Sequence, residues 1–346
     1  MKFFSLIRKN YLSILFIMFT LFLLLFANSN ISASKSGITL WAKNVVPSLF
    51  PFFIAVNLLM YSSVPYYLSK ILNKFVTHVF NVPSISSFPF IMGLISGSPI
   101  GAKITCKLYD EKILSRSDAE KVICFTNNSS PLFIIGTLGI SFYSSTLVGV
   151  CMLICHVLSA ITIGIIVGRF SKPDKNFTSF SNSINEYSIN YAKENLSTSS
   201  LGKILSASIF DAIKSVLMVG GFVTLFSIII SMLNSTNILP VVSEILANIF
   251  GVKKELVSGF LCGILEFTNG LSLISKIPMK NLTLKLVLSS FLLGFGGISV
   301  FFQVVGIIAD SKLSARKYLR AKILQGLIAS TYTFLLFQIP MLNLNL

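Results

Sequence analysis

Four clusters of polar or helix-breaking residues interrupt the long apolar stretches of this chain. The first runs from Gly93 to Lys103 and contains the sequence Ser-Gly-Ser-Pro, and the second places five polar residues, 126–130, directly before Pro131. Proline lacks an N–H group and glycine allows tight turns, so both clusters should break a helix. A broken helix frees backbone groups and helix ends that can bind polar or anionic ligands. These two clusters therefore predict a ligand-binding site.

The other two clusters lie in the second half of the chain. One surrounds Glu266, the only carboxylate well inside an apolar run, and the other is the glycine-rich stretch 294–299, with Gln303 one turn further on. Burying an ionised carboxylate is costly, so an acid at membrane depth is expected to bind substrate or a coupling Na⁺ or H⁺. The alternative for Glu266 is a structural pairing with a lysine or arginine.

The candidate substrate-binding residues are the members of these clusters with hydrogen-bonding groups or accessible backbone. They are Ser96, Gly97, Ser98, Lys103, Thr126, Asn127, Asn128, Ser129, Ser130, Glu266, Thr268, Asn269, Gly297 and Ser299. Close helix packing is the alternative role for the glycines, and Lys103 could instead be an anchor at the membrane surface. His156 is expected to be a packing residue.

The sequence contains no nucleophile–base pair, phosphate-binding loop or metal-ligand spacing. We therefore expect neither enzyme activity nor a metal, and no cofactor other than a coupling Na⁺ or H⁺. A small molecule is the expected substrate.

The elements that hold the clusters must be membrane helices. Hydrophobic residues make up 53% of the chain and charged residues 12%, which is about half the charge of a soluble domain. The net charge of +16 comes largely from lysines and arginines beside apolar spans, in stretches such as 103–121 and 312–322. Positive residues on the cytoplasmic side produce this pattern. The lipid bilayer is therefore the expected partner, and nucleic acid is not.

The apolar pattern predicts an all-α integral membrane protein with about seven transmembrane helices, some discontinuous, and two re-entrant hairpins. The spans are predicted at about 11–27, 39–62, 118–143, 146–168, 207–232, 281–309 and 319–338, and the hairpins at about 86–108 and 255–277. Irregular backbone at membrane depth is tolerated only where protein or a wet cavity satisfies it.

The order of these elements repeats with an offset of about 170 residues, and the second copy is inverted. We divide the chain into an N-terminal transmembrane helix (1–36), a first repeat (37–169), a polar linker (170–203) and a second, inverted repeat (204–338). Inverted repeats with broken helices are typical of secondary transporters. The external stretch 253–285 is more basic than the positive-inside pattern predicts.

At the same clusters the chain resembles the YlbJ (SpoVV) family of sporulation integral membrane proteins. The resemblance rests on Gly-Leu-Ile-Ser-Gly-Ser-Pro-Ile-Gly-Ala-Lys at 93–103, on Asp-Ala-Glu at 118–120 with Phe-Thr-Asn-Asn-Ser-Ser-Pro-Leu-Phe at 125–133, and on Gly-x-x-Glu-x-Thr-x-Gly at 263–270. The family belongs with gate, or nucleoside-recognition, domains, whose wider relatives include concentrative nucleoside transporters. The resemblance therefore implies that the two repeats are gate-type modules around a site near the middle of the membrane.

The resemblance also implies a role in endospore formation. Members of this family are thought to move dipicolinic acid across the outer forespore membrane, so a multi-pass location in a bacterial cell membrane or that membrane is expected. Two alternatives stay open: a secondary transporter of nucleosides or another small metabolite, and a sporulation membrane protein that transports nothing. Whether the chain forms a homo-oligomer also stays open.

Overall fold

The computed structural model describes residues 10–170, 200–279 and 282–338, and no β-strand occurs within these ranges. Its helices are α1 (Tyr11–Leu25), α2 (Ala27–Met60, with a π-helical turn at Trp41–Val45), α3 (Val64–Ile71), α4 (Asn73–Val79), α5 (Ser87–Ser96), α6 (Ile100–Asp110), α7 (Arg116–Thr126), the π-helical α8 (Phe133–Phe142), α9 (Thr146–Phe170), α10 (Leu201–Ser235), α11 (Ile238–Phe250), α12 (Lys254–Leu265), α13 (Phe267–Ser275), α14 (Leu282–Phe295), α15 (Gly297–Ala309) and α16 (Ala315–Phe337). The expected all-α class is confirmed.

Four helical segments of the described chain are long and apolar enough to cross a membrane. They are α2, α9, α10, and α14 together with α15. The predicted span at 118–143 is divided because residues 127–130 leave the helix between α7 and α8. The chain also bends by 100° between Asn73–Val79 and Ser84–Ser96, as a re-entrant segment would. These features confirm a multi-pass integral membrane protein.

Helix α2 begins earlier than the sequence predicts. Its polar first turns, expected as a connection between two spans, are helical because their small residues pack along α10. Gly37 lies against Ser227, and the Ser231 hydroxyl donates to the Ser29 carbonyl at 3.3 Å. Small side chains allow this close approach of two helices. Most of the predicted linker, 170–203, lies outside the described residues, and α10 begins at Leu201.

Both predicted hairpins consist of two short helices packed through glycines. The first hairpin is α5 with α6, where Gly93 faces Gly101, and the second hairpin is α12 with α13, where Gly263 faces Gly270. A side chain at Gly101 or Gly270 would overlap backbone atoms. The helix break and the close glycine packing therefore occur together in each hairpin.

Each hairpin packs against a broken helix of its own half of the chain. We call residues 127–130 the first break and Gly296 the second break. Gly93 and Gly101 leave room for the Thr126 carbonyl at the end of α7, and Gly297 lies against the Gly263 carbonyl. The same arrangement of hairpin and break thus occurs in both halves.

The α6–α7 and α15–α16 turns lie side by side at one end of the helix bundle. Glu120 accepts hydrogen bonds from Lys317 Nζ at 2.7 Å and from the Ser314 N–H at 3.1 Å, and the Ser311 hydroxyl donates to Asp110 at 3.0 Å. The positive-charge pattern predicts both turns on the cytoplasmic side, and the structure places them on one common side.

The basic stretch 253–285 has a structural explanation. Lys285 is largely buried and donates to the Ser275 and Ile277 carbonyls at 2.7 and 2.8 Å, and Lys253 donates to the Pro278 carbonyl at 2.9 Å. Carbonyls at a helix C-terminus have no partner within the helix and attract cations. Two of the lysines that weaken the positive-inside pattern therefore hold the end of the second hairpin.

Candidate substrate site

The two hairpin tips and the two breaks meet at one small cavity. It is lined by Gly97 and Ser98 of the first tip, by Asn127, Asn128, Ser129 and Ser130 of the first break, by Glu266, Phe267 and Thr268 of the second tip, by Gly296, and by Gln303 and Lys322, with apolar residues of α2, α8, α10, α14 and α15 around them. Its volume is about 40 Å³, room for roughly three water molecules. An organic ligand is larger than this volume, so the cavity must widen to hold one.

The asparagines of the first break hold the backbone of the site together. The Asn127 side chain accepts from the Ala102 N–H at 2.9 Å and donates to the Ile123 carbonyl at 3.1 Å, so it ties α7 to the first hairpin. The Asn128 amide donates to the Phe125 carbonyl at 2.8 Å. These side chains replace the helical hydrogen bonds that the break removes, as buried backbone groups require.

His156 supports the first break from α9. Its Nε2 accepts the Ser129 N–H at 3.1 Å, and its ring is fully buried. The ring therefore does more than fill space: it satisfies a backbone donor that no helix can satisfy. Its Nδ1 has no hydrogen-bond partner in the described chain.

Glu266 is the N-cap of α13, the second helix of the second hairpin. Its two carboxylate oxygens accept the Thr268 N–H at 3.2 Å and the Asn269 N–H at 2.7 Å, so the carboxylate occupies the N-terminus of α13. A helix N-terminus stabilises negative charge. Within the described residues no cation lies within 4.0 Å of this carboxylate, so the alternative of a lysine or arginine ion pair does not hold here.

The cavity also contains a buried cation that the sequence pattern placed elsewhere. Lys322 belongs to the basic stretch 312–322 predicted to be cytoplasmic, but it lies 3% exposed in α16 and reaches the cavity. Its Nζ donates to the Asn127 carbonyl at 2.8 Å and to Gln325 Oε1 at 2.7 Å. Gln325 in turn donates to Asn128 Oδ1 at 2.9 Å. This chain of bonds fixes the lysine against the first break.

The structure brings most of the predicted site residues to the cavity, but not all of them. Those that do not line it are Ser96, Lys103, Thr126, Asn269, Gly297 and Ser299. Ser96, Thr126 and Ser299 are fully buried, with hydroxyls that lack partners in the described chain. The Asn269 amide donates to the Ser227 hydroxyl of α10 at 2.8 Å. Their role as substrate ligands stays a prediction.

Lys103 lies on α6 between the first hairpin tip and the α6–α7 turn. It is half-buried near Asp211, Lys107 and Lys214, outside the cavity. Nothing places it in contact with a ligand in the cavity, whereas Lys322 is there. No local pattern in the sequence sets Lys322 apart from the other basic residues of the stretch 312–322.

Comparisons with known proteins agree with this geometry. Residues 42–170 match the model of the Gate family, described as nucleoside recognition. The sporulation integral membrane protein YlbJ of Bacillus subtilis (strain 168) is 32% identical over 319 residues, which cover 90% of this chain and 78% of that protein. No solved structure matches the chain.

The hairpins, the breaks and the long apolar helices are those of a multi-pass membrane protein, and residues 42–170 form a gate-type module. The similarity to the Bacillus subtilis protein covers 90% of the chain and therefore includes its second half. The chain belongs to the YlbJ family of sporulation integral membrane proteins.

Proposed function

We propose that this protein is a transporter of a small polar anion, and that in sporulation it carries dipicolinic acid across the outer forespore membrane. The observation that supports the proposal is the cavity where both hairpin tips and both breaks meet. Transporters bind substrate at such discontinuous helices because backbone groups at a break are not hydrogen-bonded within a helix and can bind polar ligands. The name of the Bacillus subtilis relative supports the sporulation context.

The test is uptake of dipicolinate by the purified protein in lipid vesicles, together with dipicolinate content of spores that depend on the chain. Glu266→Gln is the informative variant because its amide oxygen can still accept a backbone N–H of α13 while the charge is lost. We expect uptake to fall at least tenfold, roughly 1.4 kcal/mol or more in free energy. The matched control is Glu244→Gln, since Glu244 is exposed and, within the described residues, forms an ion pair only with Lys254.

Normal dipicolinate uptake and normal spores with Glu266→Gln would contradict the role of the carboxylate. A wild-type protein that takes up no dipicolinate would reject the transport proposal and favour a sporulation membrane protein that transports nothing.

A nucleoside transporter is the second candidate, favoured by the description of the Gate family. The same vesicles discriminate between the two substrates. If nucleosides are taken up and compete with dipicolinate, and if Glu266→Gln removes both activities, the nucleoside function gains support. Without competition the anion remains the favoured substrate.

A further inference from the structure

Hydrogen bonding separates the groups that build the cavity from the groups that are free to bind a ligand. The conspicuous amides of Asn127 and Asn128 are occupied in holding the first break, and both oxygens of Glu266 already accept backbone N–H groups. The main role of these residues is therefore to hold the backbone of the site in place. A ligand must be recognised mainly by polar groups that line the cavity and still have a free donor or acceptor.

Lys322 is the first such group. An ammonium has three N–H donors, and only two of them are engaged, by the Asn127 carbonyl and by Gln325. Within the described residues no carboxylate lies within 4.0 Å of its Nζ. A buried cation without a counter-ion is costly, and the cavity that it lines is the place where an anionic group could supply one.

Gln303 and Ser129 are the other two residues with free hydrogen-bonding groups at the cavity. Gln303 is 2% exposed and lines the cavity, yet its amide makes no hydrogen bond within the described chain. The Ser129 backbone N–H is bound by His156, whereas its hydroxyl has no partner in the part of the chain that the structure describes. Because both side chains line the cavity, they can donate hydrogen bonds to a ligand that fills it.

We propose that Lys322, Gln303 and Ser129 together form the receptor for an anionic group, with a carboxylate as the ligand chemistry that suits them best. The ammonium supplies charge and one donor, the amide one or two further donors, and the hydroxyl another. The lysine is fixed in advance by Gln325, so little ordering is needed when the ligand binds. This inference rests on the proposed function and names a carboxylate as the group of the substrate that the site recognises.

Glu266 limits what the rest of the ligand can be. It lines the same cavity, and a second bare carboxylate near it would be repelled. The site therefore takes a ligand with one anionic group at Lys322 and with a hydrogen-bond donor, a proton or a cation at Glu266. A dicarboxylate therefore binds only together with a proton or a cation at Glu266.

The test is binding of three probes to the full-length protein in detergent: pyridine-2-carboxylate, pyridine-2,6-dicarboxylate and the uncharged diamide of the latter. Lys322→Gln should weaken binding of both carboxylates by roughly ten- to a hundredfold, because a hydrogen bond to a charged group is lost. Binding of the diamide should change little.

Lys121→Gln is the control. Lys121 is as buried as Lys322, at 3% exposure, but it pairs with Asp118 at 3.0 Å and does not line the cavity. Its replacement should leave the affinity for all three probes unchanged. Gln303→Leu is the second variant, and it should weaken carboxylate binding without disturbing any hydrogen bond of the described chain.

Wild-type affinity for the carboxylates in Lys322→Gln would overturn the inference while leaving the proposed function standing. Should that variant fail to fold, wild-type affinity in Gln303→Leu overturns it instead. If pyridine-2-carboxylate binds through Lys322 but the dicarboxylate does not bind, the inference stands and dipicolinic acid is rejected as the substrate. If neither carboxylate binds the wild-type protein, both proposals fail.

Discussion

At the scale of single residues, polar side chains in this protein mostly replace backbone hydrogen bonds that the helix breaks remove. Asn127, Asn128 and His156 bond backbone groups around the first break, and Glu266 bonds two N–H groups of the second hairpin. Without water in the membrane, each unpaired backbone group would cost several kcal/mol. Loss of function in variants of these residues would therefore reflect a damaged site as much as a lost ligand contact.

His156 allows this structural role to be measured. Replacement by leucine should remove the acceptor of the Ser129 N–H and lower the free energy of unfolding by about 1–3 kcal/mol. Thermal unfolding in detergent measures the effect. His78 is the only other histidine and is exposed, so His78→Leu should change stability by less than about 0.5 kcal/mol. Equal stability of both variants would contradict the support of the break by His156.

At the scale of elements, the site depends on short helices that approach one another closely. The first hairpin reaches the end of α7 because Gly93 and Gly101 present no side chain to the Thr126 carbonyl. The first break then begins at Asn127, directly beside that contact. Hairpin and break are therefore one packing unit, and a change in either should move the cavity wall.

Gly101→Ala tests this unit. The added methyl group would overlap a backbone carbonyl that cannot rotate away, so the variant should be destabilised by roughly 3 kcal/mol and should lose ligand binding. Gly221→Ala is the control, because nothing lies within 4 Å of a Cβ at that helical position. Alanine there should raise stability slightly, by about 0.5–1 kcal/mol. Wild-type stability and binding in Gly101→Ala would show that hairpin and break are not tightly coupled.

At the scale of the whole molecule, ion pairs and lysine–carbonyl hydrogen bonds group the turns at two opposite ends of the helix bundle. Glu120 accepts Lys317 from the other half of the chain, whereas Lys285 and Lys253 hold carbonyls at the end of the second hairpin. The first group marks the side predicted to be cytoplasmic. The second marks the opposite side.

Cysteine labelling in intact cells measures this sidedness. Glu111 and Lys276 are exposed, and all five native cysteines are buried, so background labelling should be low. A membrane-impermeant maleimide should modify Lys276→Cys and leave Glu111→Cys unmodified until the cells are opened. Labelling of both positions from outside would contradict the predicted topology.

The sequence by itself determined the class of protein and the positions of the interruptions. Apolar run length selects membrane helices, and the chemistry of Pro131, Gly97 and the polar run 126–130 acts within a few residues of each break. The all-α membrane fold, the family and most of the polar residues that line the cavity could therefore be predicted. The start of α2 was missed, because its polar side chains are small and pack on α10.

Only the tertiary structure decided which charges meet. Lys322 and Asn127 are 195 residues apart in the chain and bond at 2.8 Å, and no local pattern distinguishes that lysine from the other basic residues of the stretch 312–322. Lys103 follows a hairpin tip directly, yet it lies outside the cavity, near Asp211 and Lys214 of α10. Local chemistry fixes where a helix breaks, whereas burial and pairing of a charge depend on the packing of distant elements.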